Sequence, residues 1–487
     1  MSRFFMAIFI ITVWSGCAIG PDYERPFVPQ PEGFQNQPTQ KVDTTSLAEM
    51  PWWELFQDEE LQYLIRIALQ ENKDLLVAAA RVDEARGELG VTRSALFPQL
   101  DADARYSYRG IPSALIPGEA GDIILETNIY NIGGSLSWEL DVWGQLRRAT
   151  EAARAELLAT EEARRAVILG LVSQVAQAYF ELRALDLELE ITRRNVKTRQ
   201  GTLRIVNARY EDGLVSGLDQ TRAEAEVVSI VAVIPNIERK IVQKQNALSI
   251  LLGRNPTGIT RGRTLDAQPS PPVVPAGLPS ALLERRPDIR QAEQTLVAAN
   301  AEIGVATGNF LPRFSLTGDL GVISRDLNQL FTGPARIWGI GPGVTVPIFT
   351  AGRNLGNLEA TEARERQALI QYEQTILQAF QEVEDSLIAY QKAREARAQL
   401  IQLVRFNQRA VDLSQVQYEE GLIDYLNVLD AQRQLFEAEI ELARTQRFQL
   451  VSLVQLYKAL GGGWTPEIPM EENLKPAAEQ TTERAPL

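Results

Sequence analysis

The spacing of apolar residues divides this chain into long stretches of helical period and short stretches of strand period. From Arg147 to Glu211 there is no proline, and Gly170 and Gly201 are the only glycines. Val167, Leu171, Val175, Ala178, Leu182, Leu185 and Leu189 step by 4, 4, 3, 4, 3 and 4, the seam of a coiled coil. A helix of that span is ~100 Å long at 1.5 Å per residue. Ile376, Phe380, Val383, Leu387 and Tyr390 set out a second seam of the same kind. Gly213 and Gly421 follow in Tyr-Glu-Asp-Gly and Tyr-Glu-Glu-Gly, where glycine suits the left-handed residue that closes a helix. Returning helices are predicted over 217–252 and 424–460. Pro235 should kink the first, because proline lacks the amide donor and clashes one turn back; the second has Ala443 there. Shorter helices are predicted within 51–71 and over 74–96, the latter ended by Pro98.

Four runs of about ten residues alternate instead with period two: 99–108, 135–143, 313–320 and 339–348. Each has one apolar and one polar or small face, at the length of a strand crossing a bilayer. A soluble half-buried hairpin would alternate in the same way, and features of the N-terminus given below favour the membrane. Glu139, Asp141, Asp101, Asp103 and Asp319, with Arg105 and Arg313, fall on the wet face. Trp138, Trp143, Tyr106, Tyr108 and Tyr130 are candidates for an interfacial aromatic girdle.

The chain is written twice. Asp74, Glu88, Gly90 and Pro98 recur as Asp288, Glu302, Gly304 and Pro312, an offset of 214 (312 − 98). Beyond the alternating runs, Gly144, Tyr210, Gly213 and Gly253 recur as Gly352, Tyr418, Gly421 and Gly461, an offset of 208 (461 − 253). So long a period indicates a duplicated domain rather than a solenoid unit. The segments read as follows: 1–16 export signal; 17–56 extended arm; 57–253 first repeat, with a β-hairpin near 99–143 and a helical hairpin near 145–253; 254–280 linker; 281–461 second repeat, with hairpins near 312–350 and 353–461; 462–487 a tail of disordered composition.

Two strands per repeat make four per chain. Four strands cannot close a membrane barrel, and an open edge in lipid leaves backbone groups unsatisfied. Two chains would give eight strands, too few to leave a channel; three give twelve. The predicted fold class is therefore mainly α with a membrane β-barrel. Four strands from each chain complete a twelve-stranded barrel in a homotrimer, continued by a long coiled-coil helical tunnel.

Composition narrows the chemistry. There is no histidine and one cysteine, which removes the commonest general base, disulfides and thiolate metal sites. Carboxylates sit at helical spacing with Lys and Arg, the pattern of a solvated face, and no phosphate-cradling loop is present. An enzyme is not expected, nor a cofactor beyond a covalent lipid. The net charge of −14 argues against nucleic acid. No run of 18 apolar residues offers a transmembrane helix. Arg3, the apolar run from Phe4 to Trp14 and Ser15-Gly16 before Cys17 read as an export signal. Ser-Gly-Cys resembles the bacterial lipoprotein processing site, with Cys17 as the lipidated first residue. Trp14 departs from the usual leucine there. Ala18, in place of aspartate, implies sorting to the outer membrane.

Several segments together resemble the TolC-like outer membrane factors, in their lipoprotein branch: Cys17 to Tyr23, Trp52-Trp53, Glu139 to Gly144, Asn246 to Gly253, and Leu283 to Ile289. The resemblance implies a trimeric exit duct of a tripartite efflux pump, working with a periplasmic adaptor and an inner-membrane transporter. It further implies a constriction just after the second tip. Leu426 fits an apolar ring, and Asp430 and Arg433 fit a polar ring linking neighbouring helices. Arg222 stands at the position equivalent to Asp430 (430 − 208). Leu426 as a seam residue and Asp430–Arg433 as a plain i, i+3 pair is the competing account. Gly213, Leu214, Val215 and Ser216, with Gly421, Leu422, Ile423 and Asp424, form the tips expected to meet the adaptor. The outer-membrane part of a type I secretion system would share these features. A periplasmic adaptor would need a lipoyl-like half-motif, which is not found, and a coiled-coil scaffold would lack the alternating runs.

Overall fold

The structure is a computed structural model that describes residues 18–29, 31, 33–34, 55–112, 124–268 and 279–462. The export signal, Cys17, Trp52-Trp53 and the tail from 463 onward lie outside the described residues. So do most of the arm and part of the linker. The chain forms two compact units: Met1–Val28, Ala79–Glu162 and Gln291–Gln374 in the first; Pro29–Ala78, Ala163–Arg290 and Thr375–Leu487 in the second.

The first unit holds the sheet. Its strands are β1 (Gln99–Pro112), β2 (Ile124–Leu140), β3 (Arg313–Ser324) and β4 (Arg336–Thr345), antiparallel in the order β1-β2-β3-β4. The hairpins come one from each repeat, and β2 pairs with β3 to join them. The register aligns Asp101 with Ser135, Ser135 with Asp319, and Asp319 with Gly339. Because side chains alternate, one face collects Asp101, Asp103, Arg105, Ser135, Glu139, Arg313, Thr317 and Asp319. The other collects Leu100, Tyr130, Ile132, Leu136, Trp138, Leu316, Leu320, Trp338 and Ile340. Leu320, Trp338 and Ile340 are largely exposed on the single chain. Trp138 and Tyr130 lie eight residues apart (138 − 130) on β2, ~27 Å along an antiparallel strand. That is close to the height of an outer-membrane apolar band. Each of β1 and β4 is paired on one side only within the chain.

Three expectations for the sheet change. The strands run to 14, 17, 12 and 10 residues, so several exceed the span read from alternation. Asp141 is not on the wet face, since β2 ends at Leu140. Its carboxylate accepts from the backbone N–H groups of Leu146 (2.9 Å) and Arg147 (3.0 Å). It thereby caps helix α3 (Gln145–Glu211), where a carboxylate meets unpaired amides. Trp143 also lies beyond the strand, with its indole N–H donating to Pro312 O at 2.8 Å.

Helices α1 (Glu59–Glu71) and α2 (Lys73–Ser94) precede β1. The arm is seated in the first unit. Ile19 N donates to Trp143 O at 2.9 Å. Arg148, with 5% of its side chain exposed, donates to Ile19 O (3.1 Å) and pairs with Asp22 (2.5 Å) and Glu151 (2.8 Å). Arg25 pairs with Glu293 at 2.9 Å on helix α7, which spans Pro287–Gly308 after the short α6 (Pro279–Arg285). A Cβ on Gly304 would fall 2.5 Å from Ile19 O, and one on Gly144 2.7 Å from Ala18 Cα. The residue after Cys17 thus rests beside the base of the sheet.

The second unit is helical. It contains most of α3, then α4 (Gly217–Val231) and α5 (Ile234–Leu251). From the second repeat it takes most of α8 (Arg353–Glu419) and all of α9 (Tyr425–Ala459). Of the predicted seams, Leu171, Val175, Ala178, Leu182, Ile376, Val383, Leu387 and Tyr390 are buried. All of these but Ile376 pack in one cluster with Leu61 and Ile65 of α1, and with Leu248, Leu453 and Leu456. Pro235 does more than kink its helix: α4 stops at Val231 and α5 starts afresh with Pro235 in its first turn. In α9, buried Ala443 lets the helix run on unbroken. The linker is tied down by Asp58, whose buried carboxylate accepts from Tyr179 Oη (2.9 Å), Arg263 N (3.0 Å) and Gln268 Nε2 (2.8 Å).

Candidate functional site

Both long helices are 67 residues and end at equivalent positions, Glu211 and Glu419. Gly213 and Gly421 take φ of +71° and +74°. Leu214 N donates to Arg209 O, and Leu422 N to Gln417 O, each at 2.8 Å. These are six-to-one bonds that satisfy the last carbonyls of a helix. Past the first tip, Ser216 and Asp219 exchange side-chain and backbone bonds as a capping box that starts α4. The second tip departs here, since Asp424 caps α9 without a side-chain bond.

Leu214 (64% exposed) and Leu422 (73% exposed) point into solvent, as do Ser216 and Asp424. Val215 and Ile423 do not. They are half-buried against Val206, Ala223, Tyr418, Tyr425, Val428 and Leu429, so they hold the tips in shape and leave less surface for a partner. Tyr418 and Tyr425 meet with ring centroids 6.1 Å apart and planes tilted by 58°. Arg209 lies 4.8 Å over the Tyr418 ring and donates to Tyr418 O (2.6 Å) and Glu419 O (3.2 Å). A cation over an aromatic face and at a helix C-terminus is stabilised twice, and here it clips the two tips together. Burial pushes the Tyr425 hydroxyl up to about 12, and Glu226 adds to the shift.

The three residues proposed for the constriction share one face of α9. Leu426 is 56% exposed, and Asp430 and Arg433 are exposed with it at i, i+4 and i+7. Asp430 accepts from Gln434 Nε2 at 2.8 Å. The plain Asp430–Arg433 pair is not formed, which leaves Arg433 turned outward beside it. On α4 the equivalent face carries Leu218, 58% exposed, and Arg222. Arg222 lies 4.0 Å from Asp219, a contact at the limit of an ion pair. Leu218 is the counterpart of Leu426 (426 − 208) and was not singled out in the sequence, although the offset identifies it.

Behind this face buried polar contacts that periodicity does not reveal bolt the helices together, one between the two hairpins and the others within each hairpin. Gln432 Nε2 donates to Thr202 Oγ1 at 2.9 Å. Arg199, 6% exposed, donates to the carboxylate of Glu226 and to its backbone oxygen at 3.2 Å. Burial lowers the Arg199 guanidinium from its ordinary value while Glu226 opposes the shift. At the equivalent positions Asn407 Nδ2 donates to Gln434 O at 3.0 Å. The fold keeps the bond to that carbonyl and changes the donor from a cation to an amide.

Among the described residues no helix is long and apolar enough to cross a membrane; the sheet carries the broad apolar surface. This four-stranded sheet with duplicated helical hairpins is the fold of an outer-membrane channel. The open state of the MtrE outer membrane channel of Neisseria gonorrhoeae matches it with a TM-score of 0.83 at 34% identity, covering 92% of this chain and 98% of that one. The chain is 36% identical over 457 residues to the probable efflux pump outer membrane protein TtgC of Pseudomonas putida, covering 93% of this chain and 94% of the relative. It is 35% identical over 454 residues to the cation efflux system protein CusC of Escherichia coli, covering 92% and 96%. The model of the family described as outer membrane efflux protein matches residues 64–254 and 278–462. The chain belongs to this family of outer-membrane exit ducts of Gram-negative bacteria. Its fold class is the one the sequence implies: duplicated and mainly helical, giving four strands to a trimeric barrel with a helical tunnel.

The Arg199–Glu226 pair yields a test of the bolts. Glu226→Ala strands a buried guanidinium and should cost about 3 kcal/mol, whereas Arg199→Met with Glu226→Leu should recover most of it. Thermal unfolding of the detergent-solubilised protein checks both. Equal loss in the single and double variants would show that Arg199 has partners other than Glu226.

Proposed function

We propose that this duct is a passive conduit rather than an enzyme. In this reading it is anchored by lipid on Cys17 and closed at rest beside the helix tips. It opens when a periplasmic adaptor of an inner-membrane transporter engages those tips. The observation that carries the reading is the sheet: one apolar face, one polar face, and both edges unpaired within the chain. The cargo then passes the polar face, which has Asp101, Asp103, Glu139 and Asp319 against Arg105 and Arg313. Carboxylates in excess along a pore raise the local cation concentration.

Three further observations support the finer parts. The exposed stripe of Leu426, Asp430 and Arg433, echoed by Leu218 and Arg222, supplies apolar and charged groups without partners across the helices, as a ring of neighbours about an axis requires. Leu214 and Leu422 are apolar and open at the tips, which suits a docking partner. Ala18 rests against Gly144, close to where a lipid on Cys17 would enter the membrane.

Planar-bilayer recording tests the conduit and its gate together. The unaltered trimer should conduct weakly and prefer cations. Asp430→Ala with Arg433→Ala, or Leu426→Ser alone, should raise single-channel conductance several-fold; unchanged conductance in both would move the constriction elsewhere. Mass spectrometry of the membrane-extracted protein should find acyl chains on Cys17 and none after Cys17→Ala. An unacylated native protein would remove the anchor and leave the duct intact. Cysteines at Leu214 and Leu422 should crosslink in cells to the adaptor, and crosslinks confined to the middle of the long helices would reject tip docking.

A further inference from the structure

A second charged feature lies in the helical unit, away from the tips. A cleft of about 430 Å³ opens where α3, α5 and α9 meet. Lys240, Lys244, Arg444 and Arg447 line it, with Glu181 and Glu188. In a chain of net charge −14, four cations against two carboxylates is a local reversal of sign. Lys244 pairs with Glu181 at 2.6 Å, and Arg444 reaches Glu188 only at 3.5 Å. Among the described residues Lys240 and Arg447 make no ion pair. Neighbouring cations on α3 behave differently: Arg193 pairs with Glu238 at 2.8 Å and Arg194 with Glu439 at 2.6 Å. Inside the cleft two carboxylates serve four cations, which leaves Lys240 and Arg447 without a carboxylate partner among the described residues.

The duplication provides an internal control. Core positions persist across the offset of 208. Val175 and Val383 are both buried, as are Leu182 and Tyr390, and Leu248 and Leu456. Of the charged cleft positions only Arg447 persists. Glu181 becomes Ala389, Glu188 becomes Ala396, Lys240 becomes Phe448 and Lys244 becomes Ser452. Arg444 corresponds to Asn236. Arg447 corresponds to Arg239, which bonds Gln243 (2.8 Å) and Asn236 (2.7 Å) on its own helix. Small and apolar residues thus serve the same packing in the other repeat. Helix association does not require these charges, and clustering like charges opposes it.

We propose that this cleft binds a multivalent anion, one bearing clustered phosphates or carboxylates, at one site per chain. Lys240 and Arg447 supply the free cationic donors from α5 and α9, and Lys244 and Arg444 frame the ligand from their own carboxylate pairs. Charge-assisted bonds from an ammonium and a guanidinium suit phosphate and carboxylate oxygens alike. The bound anion would bridge the returning helices of the two repeats and stiffen the unit at that level. The site is independent of the gate and of lipidation.

The test uses the full-length protein in detergent. Calorimetric titration with inorganic pyrophosphate and separately with citrate, at fixed ionic strength, should show saturable binding of one anion per chain for at least one of them. Preference between the two identifies phosphate or carboxylate as the recognised group. Lys240→Phe with Lys244→Ser, which installs the residues of the second repeat, should weaken binding about tenfold or more. Lys240→Gln, at an exposed and unpaired side chain, should weaken it less and cannot perturb the core. Arg193→Ala, which removes a paired cation outside the cleft, should leave binding unchanged. Absence of saturable binding for both anions, or equal binding in the cleft variants, overturns the proposal.

Discussion

Every backbone amide and carbonyl in the hydrocarbon of a membrane must find a partner within protein, because no water is there to take its place. The rest of this molecule follows from that requirement. Four strands in the order β1-β2-β3-β4 satisfy each other on three seams and leave two edges open. Satisfying those edges calls for other copies of the same chain, which the trimeric barrel of the family provides. Residues that face lipid in such a barrel must be apolar and those facing the pore must be wettable. The sheet obeys this over most of its length, down to the alternation of glycine with Trp338, Ile340 and Val344 along β4.

The duplication shows which features the fold needs and which are particular to one half. Helix length is needed: α3 and α8 have 67 residues each and close on a left-handed glycine after the same number of steps. The donor to the carbonyl of residue 226 or 434 is needed, while its charge is not. The continuity of the returning helix is not needed, since Pro235 divides one copy and Ala443 leaves the other whole. Arg209 has no counterpart, because position 417 is glutamine. The clip it makes therefore distinguishes the two hairpins that share a tip cluster.

Periodic features were legible in the sequence. The coiled-coil seams, the glycine closures and the four alternating runs each repeat a pattern several times, and burial follows them in the structure. Strand ends were less legible. Ile124 to Asn131 carries no clean alternation, and it is held by the register with β1. Asp141 looked like one more wet-face acid because it continues the alternation of Ser135 to Glu139, and only the start of α3 four residues later makes it a cap. Val215 and Ile423 looked like free tip residues because nothing local marks the Tyr418–Tyr425 cluster that receives them. The Arg199–Glu226 and Gln432–Thr202 contacts join distant positions without a period, so no window of sequence contains them. The stripe of Leu426, Asp430 and Arg433 was found through family resemblance; its helical spacing alone would equally describe a solvated face.

The seat of the arm sets an order of events. Ile19, Asp22 and Arg25 stand early in the chain. Yet their partners include Glu293, 268 residues away, and the backbone beside Gly304. Those partners emerge only after the whole first repeat has been made. Until then Arg25 lacks Glu293, and the arm has only the partners of the first repeat, Trp143 and Arg148. Contacts of such sequence separation form late. The arm thus closes over the first unit as a latch on a finished assembly, and the near end of the chain waits for the far half to arrive.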